Sequence, residues 1–251
     1  MRARFLAAIP AVLLVLVALW EVVATRLDAG SVPGDDAWER AAQVVRAAHQ
    51  SGDLIVFAPG WVDPVGRLHL GDLIPVEMAA RMDAARYGRI WELAIRGARA
   101  PETAGLSPVL EQDVDGVTVR RFERAPAVVV SDVLAAGQPV TLAEVGFEPH
   151  RCIQLVPSPG HPQRLTIPMQ LGTRLVGYAG LADVFTRRDI RAPGSLAVEI
   201  AGRQVAAVHP GVDDGWVRFE APTTPGPADV TFVASADAPQ RLICFAAEAR
   251  Q

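Results

Sequence analysis

Asp63, His69 and Asp72 fall within ten positions of one another in WVDPVGRLHLGD, directly after the apolar run Leu54 to Ala58. Two carboxylates and an imidazole are the side chains of general acid–base catalysis and of small metal sites. If Leu54–Ala58 is a strand of a parallel sheet, the three lie beyond its carboxyl end, where such sheets bind ligands. Their spacing matches no metal signature. Pro64 with Gly66 reads as a turn, and Gly71-Asp72 before Pro75 as a helix entry. The three stand as catalytic candidates beside the plainer reading of a connection, and neither a metal site nor a cofactor is expected.

A second polar group lies in GYAGLADVFTRRD, where Asp183, Arg187 and Arg188 follow Tyr178; Trp216 in DDGWVRFEAP joins it. Sugar sites pair an aromatic platform with planar hydrogen-bonding groups, and arginine forks suit acidic glycans. These five are the ligand-binding candidates. The competing reading is a strand and loop with solvated charges, Trp216 in the core and Asp213-Asp214-Gly215 a turn. The histidines at 49, 69, 150, 161 and 209 are scattered and read as surface or capping residues. No serine stands in G-x-S-x-G.

Composition narrows the chemistry. All 24 Lys and Arg residues are Arg, and Asn is absent as well. Without lysine there is no Walker loop and no Schiff base. Without asparagine there is no Cys-His-Asn triad. A net charge of −4 provides no basic field for nucleic acid, so no nucleic-acid partner is expected.

The elements that must position these residues fall into three regions. Phe5 to Ala24 is about the length a bilayer-spanning helix needs, with Arg2 and Arg4 before it, so the positive-inside rule exports the remainder of the chain. A signal peptide cleaved after Val22-x-Ala24 is the alternative. After a tether at 25–35, DDAWERAAQVVRAAHQ reads as a helix. Asp36 and Glu39 form a capping-box pattern, and Trp38, Ala41, Ala42, Val45 and Ala48 share one face. Leu54–Ala58, a helix over Pro75–Tyr87, and strands in RIWELAIR and from Val117 complete an α/β layer with some parallel pairing. From about Arg151 short alternating runs replace this pattern: Leu165, Ile167, Met169 and Leu171, then Leu196, Val198 and Ile200. Ala201-Gly202-Arg203-Gln204 is a hairpin turn between two runs, and the whole predicts an antiparallel sandwich. Cys152 and Cys244 lie in its first and last strands. Export permits a disulfide between them; two separately buried thiols are the alternative.

DAWERAAQVVRAAHQSGDLIVFAP and RIWELAIR resemble the extracytoplasmic soluble domain of GT-C-type glycosyltransferases. That family catalyses within a multi-helix membrane domain, whereas one membrane helix is expected in this sequence, so the resemblance implies an accessory shape without the catalytic machine. LAVEIAGRQVAAV, DDGWVRFEAP and RLICFAAEA look like a galactose-binding-like jelly roll, the sandwich of many carbohydrate-binding modules, which implies a glycan ligand.

The resulting expectation is a two-domain α+β protein. Residues 1–24 are a transmembrane signal-anchor, 25–35 a linker, 36–140 a small α/β domain and 151–251 a jelly-roll-like antiparallel β-sandwich. It would reside in a bacterial inner membrane as a single-pass protein, bulk periplasmic, with the bilayer contacting residues 5–24. The expected role is a non-catalytic binding or assembly protein of envelope polysaccharide or glycoconjugate biogenesis, with a glycan or envelope protein as partner. A glycan hydrolase or transferase using the α/β domain, and a structural subunit of a membrane complex, are the alternatives.

Overall fold

The computed structural model describes residues 2–30, 32–182 and 191–251. The chain divides into two compact units, residues 1–73 with 89–124, and residues 74–88 with 125–251. The division expected at 140–151 falls inside the second unit.

The first unit opens with helix α1, Arg2–Gly30. Its side chains are described from Val12 onward, apart from positions 28 and 29, and the large apolar ones are exposed, Leu14 by 71% and Trp20 by 70%. Among the described residues no helix is long and apolar enough to cross a membrane. Helix α2, Asp35–Ala48, buries Trp38, Ala41, Ala42 and Val45 of the predicted stripe together with Ala37, while Ala48 at its end is only half-buried. The expected capping box at Asp36 and Glu39 does not form. Gly34 is the N-cap without a side-chain bond, and both Asp35 and Asp36 lie in the first turn, where they favour the positive end of the helix.

Strand β1, Leu54–Ala58, is buried throughout. The stretch after it, read as a turn, is helical. A 3-10 turn at Gly60–Val62 leads into α3, Asp63–Leu70, with Pro64 in its first turn, a position that needs no amide donor. Gly66 allows α3 to lie on β1, since a Cβ there would meet the Phe57 ring at 2.0 Å. Strands β2 (Arg89–Ile95), β3 (Leu110–Val114) and β4 (Val117–Glu123) complete a sheet of order β1-β2-β4-β3. The β1–β2 pair is parallel and the others are antiparallel. Glu92, fully buried in β2, accepts from Arg120 at 2.9 Å, from the Ala100 amide at 2.7 Å and from the Thr103 hydroxyl. Its charge is compensated inside the core, as burial demands.

The second unit is an antiparallel β-sandwich. Its strands are β5 (Val129–Asp132), β6 (Thr141–Val145), β7 (Glu148–Leu155), β8 (Gln163–Leu171) and β9 (Arg174–Leu181). They continue as β10 (Gly194–Ile200), β11 (Arg203–Val208), β12 (Val217–Pro222), β13 (Gly226–Ala236) and β14 (Ile243–Arg250). One sheet has the order β11-β10-β13-β8; the other has β12-β9-β14-β7-β6, with β5 also pairing β14. Alternation sorts the faces. Ile167, Met169, Leu171, Leu196, Val198, Phe232 and Phe245 fill the space between the sheets. The β10–β11 hairpin turns at Ala201-Gly202, both at positive φ, as its sequence predicts. Cys152 and Cys244 form a disulfide on the neighbouring strands β7 and β14, with a Cα–Cα distance of 5.5 Å, so the two are not separate thiols.

Residues 74–88 do not form the helix predicted over Pro75–Tyr87. A single turn, α4 at Val76–Ala79, follows Pro75 and stops. The carbonyls beyond it are occupied by other donors. Ala80 accepts from the Arg151 amide, Met82 from the Trp216 indole and Ala85 from the Ala127 amide. Every backbone group needs a partner, and here the sandwich supplies partners that a helix would otherwise provide.

Candidate functional site

In the first unit the three acid–base candidates are each engaged by a different partner. Asp63 pairs with Arg67 along one helix face at 2.5 Å. The imidazole of His69 lies 3.0 Å from the Asp35 carboxylate. Asp72 accepts a two-pronged contact from Arg46, at 2.6 and 2.7 Å, and Arg46 also donates to the His69 carbonyl. Arg46 beside it holds the Asp72 carboxyl below the usual carboxylate range. These contacts tie α3 and the residues after it to α2. Among the described residues no group of three or more His, Cys, Asp or Glu is arranged to hold a metal ion.

In the second unit the outward face of sheet β12-β9-β14-β7-β6 gathers an aromatic row. Strand alternation that sends Phe219 and Ala179 into the sandwich sends Trp216, Arg218 and Glu220 of the β12 segment, and Tyr178 of β9, to the opposite face. Trp216 stacks on His150 with centroids 4.4 Å apart and runs parallel to Tyr178 at 6.1 Å. Its indole N–H donates to the Met82 carbonyl at 3.1 Å. Trp216 is therefore held by protein contacts, while Tyr178, half-buried, forms one end of the row. Arg218 lies opposite Tyr178 in the strand register and pairs with Glu220, which also faces Arg174 at 3.7 Å. Burial pushes the Tyr178 phenol above its ordinary range.

His150, expected at the surface, is buried. Its Nδ1 lies 3.4 Å from the Arg81 carbonyl, and burial lowers its pKa to about 4. On the same sheet Arg250 is clasped by Asp83 at 2.9 and 3.0 Å and by Glu248 at 2.8 Å. Arg86 joins Glu248 to Asp132. This charged chain fastens residues 83–86 across the strands.

Of the five ligand-binding candidates, Tyr178 and Trp216 meet in this row. Asp183, Arg187 and Arg188 lie outside the described residues. Asp213 pairs with Arg191 at 2.8 Å, and Asp214 accepts the Gly211 amide at 2.8 Å, as a turn requires. Sequence does not single out His150, Arg218 or Asp83. Only alternation could flag the first two: His150 and Cys152 share one parity of β7, and Trp216, Arg218 and Glu220 share one parity of β12. Elsewhere on the sandwich an open depression of about 540 Å³ is lined by Pro168, Met169, Gln170, Pro227, Ala228 and Asp229. It offers one carboxylate and no aromatic ring.

No family model matches the sequence, and no curated protein does either. The expected likeness of residues 36–96 to GT-C glycosyltransferases finds no support there. Among solved structures the chain is similar to a family 6 carbohydrate-binding module of Cellvibrio mixtus lichenase 5A, in complex with cellotriose. Identity is 13%, over 48% of this chain and 98% of that one, with a TM-score of 0.31. Tandem family 51 modules of a Streptococcus pneumoniae family 98 glycoside hydrolase match at 9% identity, over 49% of this chain and 41% of that one, with a TM-score of 0.30. The second family 51 module and INT domains of Clostridium perfringens ZmpB match at 12% identity, over 63% and 43%, with a TM-score of 0.32. At such scores the likeness carries no conclusion about function.

Proposed function

We propose that the chain is a membrane-anchored, non-catalytic binding or assembly protein of cell-envelope polysaccharide or glycoconjugate biogenesis, with a glycan held on the outward face of its sandwich. The observation that carries this reading is the alignment of Tyr178 with the Trp216–His150 stack beside Arg218, Glu220 and Arg174. A ring edge next to planar donors and acceptors suits a sugar, whose faces are apolar and whose rim is hydroxylated. The anchor reading draws on the apolar run of residues 5–24 and on the exposure of its described side chains. A bacterial inner-membrane location with the bulk periplasmic follows from Arg2 and Arg4 preceding that run.

The test is a glycan array, spanning neutral and acidic sugars, probed with the full chain in lipid nanodiscs. Any hit is then titrated against Tyr178→Ala and Arg218→Ala. Each variant should weaken binding by roughly tenfold or more, the effect of removing an aromatic or arginine anchor. A blank array, or affinities unchanged in both variants, overturns the glycan reading.

A further inference from the structure

The outer face of α3 and the turn before it is apolar. Trp61, Val65 and Leu68 are 61%, 40% and 77% exposed, and Pro64 between them is exposed as well. The four positions are i, i+3, i+4 and i+7, the spacing of a stripe that helices normally turn toward a core. Here the core is already served by the other side. Val62, Gly66 and Leu70 face inward, Val62 and Leu70 at 2% and 0% exposure, with Gly66 against Phe57. The helix is thus apolar on two faces, with Asp63 and Arg67 paired between them. A single exposed leucine needs no explanation, but a contiguous ridge led by tryptophan does.

The position of the ridge in the chain bounds its distance from the end of α1. The carboxyl end of α3 adjoins the first residue of α2, since His69 lies 3.0 Å from Asp35. Helix α1 ends at Gly30, five residues earlier. Five residues reach at most about 18 Å, so the Leu68 end of the ridge stays within a short tether of the end of α1. Tryptophan favours the bilayer interface, where its ring is buried among headgroups and its N–H stays hydrated. We infer that Trp61, Pro64, Val65 and Leu68 form a second membrane contact, a ridge that lies in the interfacial layer beside the point where α1 leaves the bilayer. The inference rests on the reading of α1 as an anchor. Such a contact fixes the first unit against the membrane surface instead of leaving it free on its tether.

The experiment uses the full chain carrying one added cysteine, Leu68→Cys or, in a second preparation, Val15→Cys. The native cysteines are bonded and fully buried, so a nitroxide reagent labels the new thiol alone. Each protein is placed in phosphatidylethanolamine–phosphatidylglycerol nanodiscs at one chain per disc. Collision of the label with oxygen is then compared with collision with a water-soluble nickel complex. The expected result is several-fold protection from nickel at both positions, deeper at Val15 than at Leu68. Protection at Val15 with free access at Leu68 keeps the anchor and overturns the ridge. Free access at both overturns both. Protection at Leu68 that appears only at two chains per disc assigns the ridge to a second copy and overturns the lipid contact. Pro64→Cys provides the same reading should Leu68→Cys fail to fold.

Discussion

At the scale of single residues, His150 couples the fold to pH. Its ring is buried against Trp216, and burial lowers its pKa from the ordinary 6.5 to about 4. In the unfolded chain the same imidazole takes up a proton near pH 6.5, while the folded chain refuses it until near pH 4. Between those values the unfolded state binds more protons, so stability falls as the pH falls. The loss begins near 6.5, is complete near 4, and amounts to roughly 3 kcal/mol at 1.36 kcal/mol per unit. Urea titrations at pH 7.5 and 4.5 should show it in the wild type and show it much reduced in His150→Gln. Equal slopes in the two proteins would place the acid sensitivity elsewhere. Nothing local in EPHRCIQL announces this behaviour. A lone histidine in a strand is buried or exposed according to what covers its face, and here the cover comes from residues 81 and 82, far away in sequence.

At the scale of elements, residues 74–88 act as a strap on the sandwich, and Asp83 is one of its part-buried fastenings. Arg250 is 3% exposed and donates two bonds to Asp83 and one to Glu248. Asp83→Ala leaves the guanidinium half-compensated. The expected cost is about 2 kcal/mol, below the 3–5 kcal/mol of a buried charge stripped of its partner altogether. Near-UV dichroism during urea unfolding should report it through Trp216, whose indole bonds Met82 one residue before Asp83. An unchanged midpoint would mean that the Asp83–Arg250 clasp contributes nothing to the sandwich. The strap is the least legible element in the sequence, whereas the strands are plain. Leu165, Ile167, Met169 and Leu171 alternate because the sandwich buries one face, so the pattern is local. PVEMAARMDAARY has the composition of a helix and a proline to begin one. It fails because Arg151, Trp216 and Ala127 claim its carbonyls, a competition between distant donors that no local propensity records. The same reason hides part of the candidate site: Tyr178 and Trp216 are conspicuous as residue types, but His150 and Arg218 become their neighbours only through the sheet.

At the scale of the whole molecule, the proposed anchor and the proposed export would explain the disulfide, and one experiment tests all three. The Cys152–Cys244 bridge joins residues 92 apart. Bonds of this kind persist in oxidising compartments and are rare where thioredoxin and glutathione operate. The proposed anchor is what would deliver the chain to such a compartment. Leu14→Arg with Leu16→Arg puts two charges near the middle of the apolar run, each costing about 2.5–3.5 kcal/mol on insertion. The double variant should therefore stay in the cytoplasm, and its two cysteines should react with an alkylating reagent after denaturation without reductant. The wild type should remain with membranes through alkaline carbonate, should activate a C-terminal reporter that works only outside the cytoplasm, and should yield no free thiol. A reduced bridge in the membrane-bound wild type would break the link between anchor and oxidation. A soluble, oxidised wild type beginning at Thr25 would keep export but make the apolar run a cleaved leader, and the α3 ridge would then lose the neighbour that holds it near lipid.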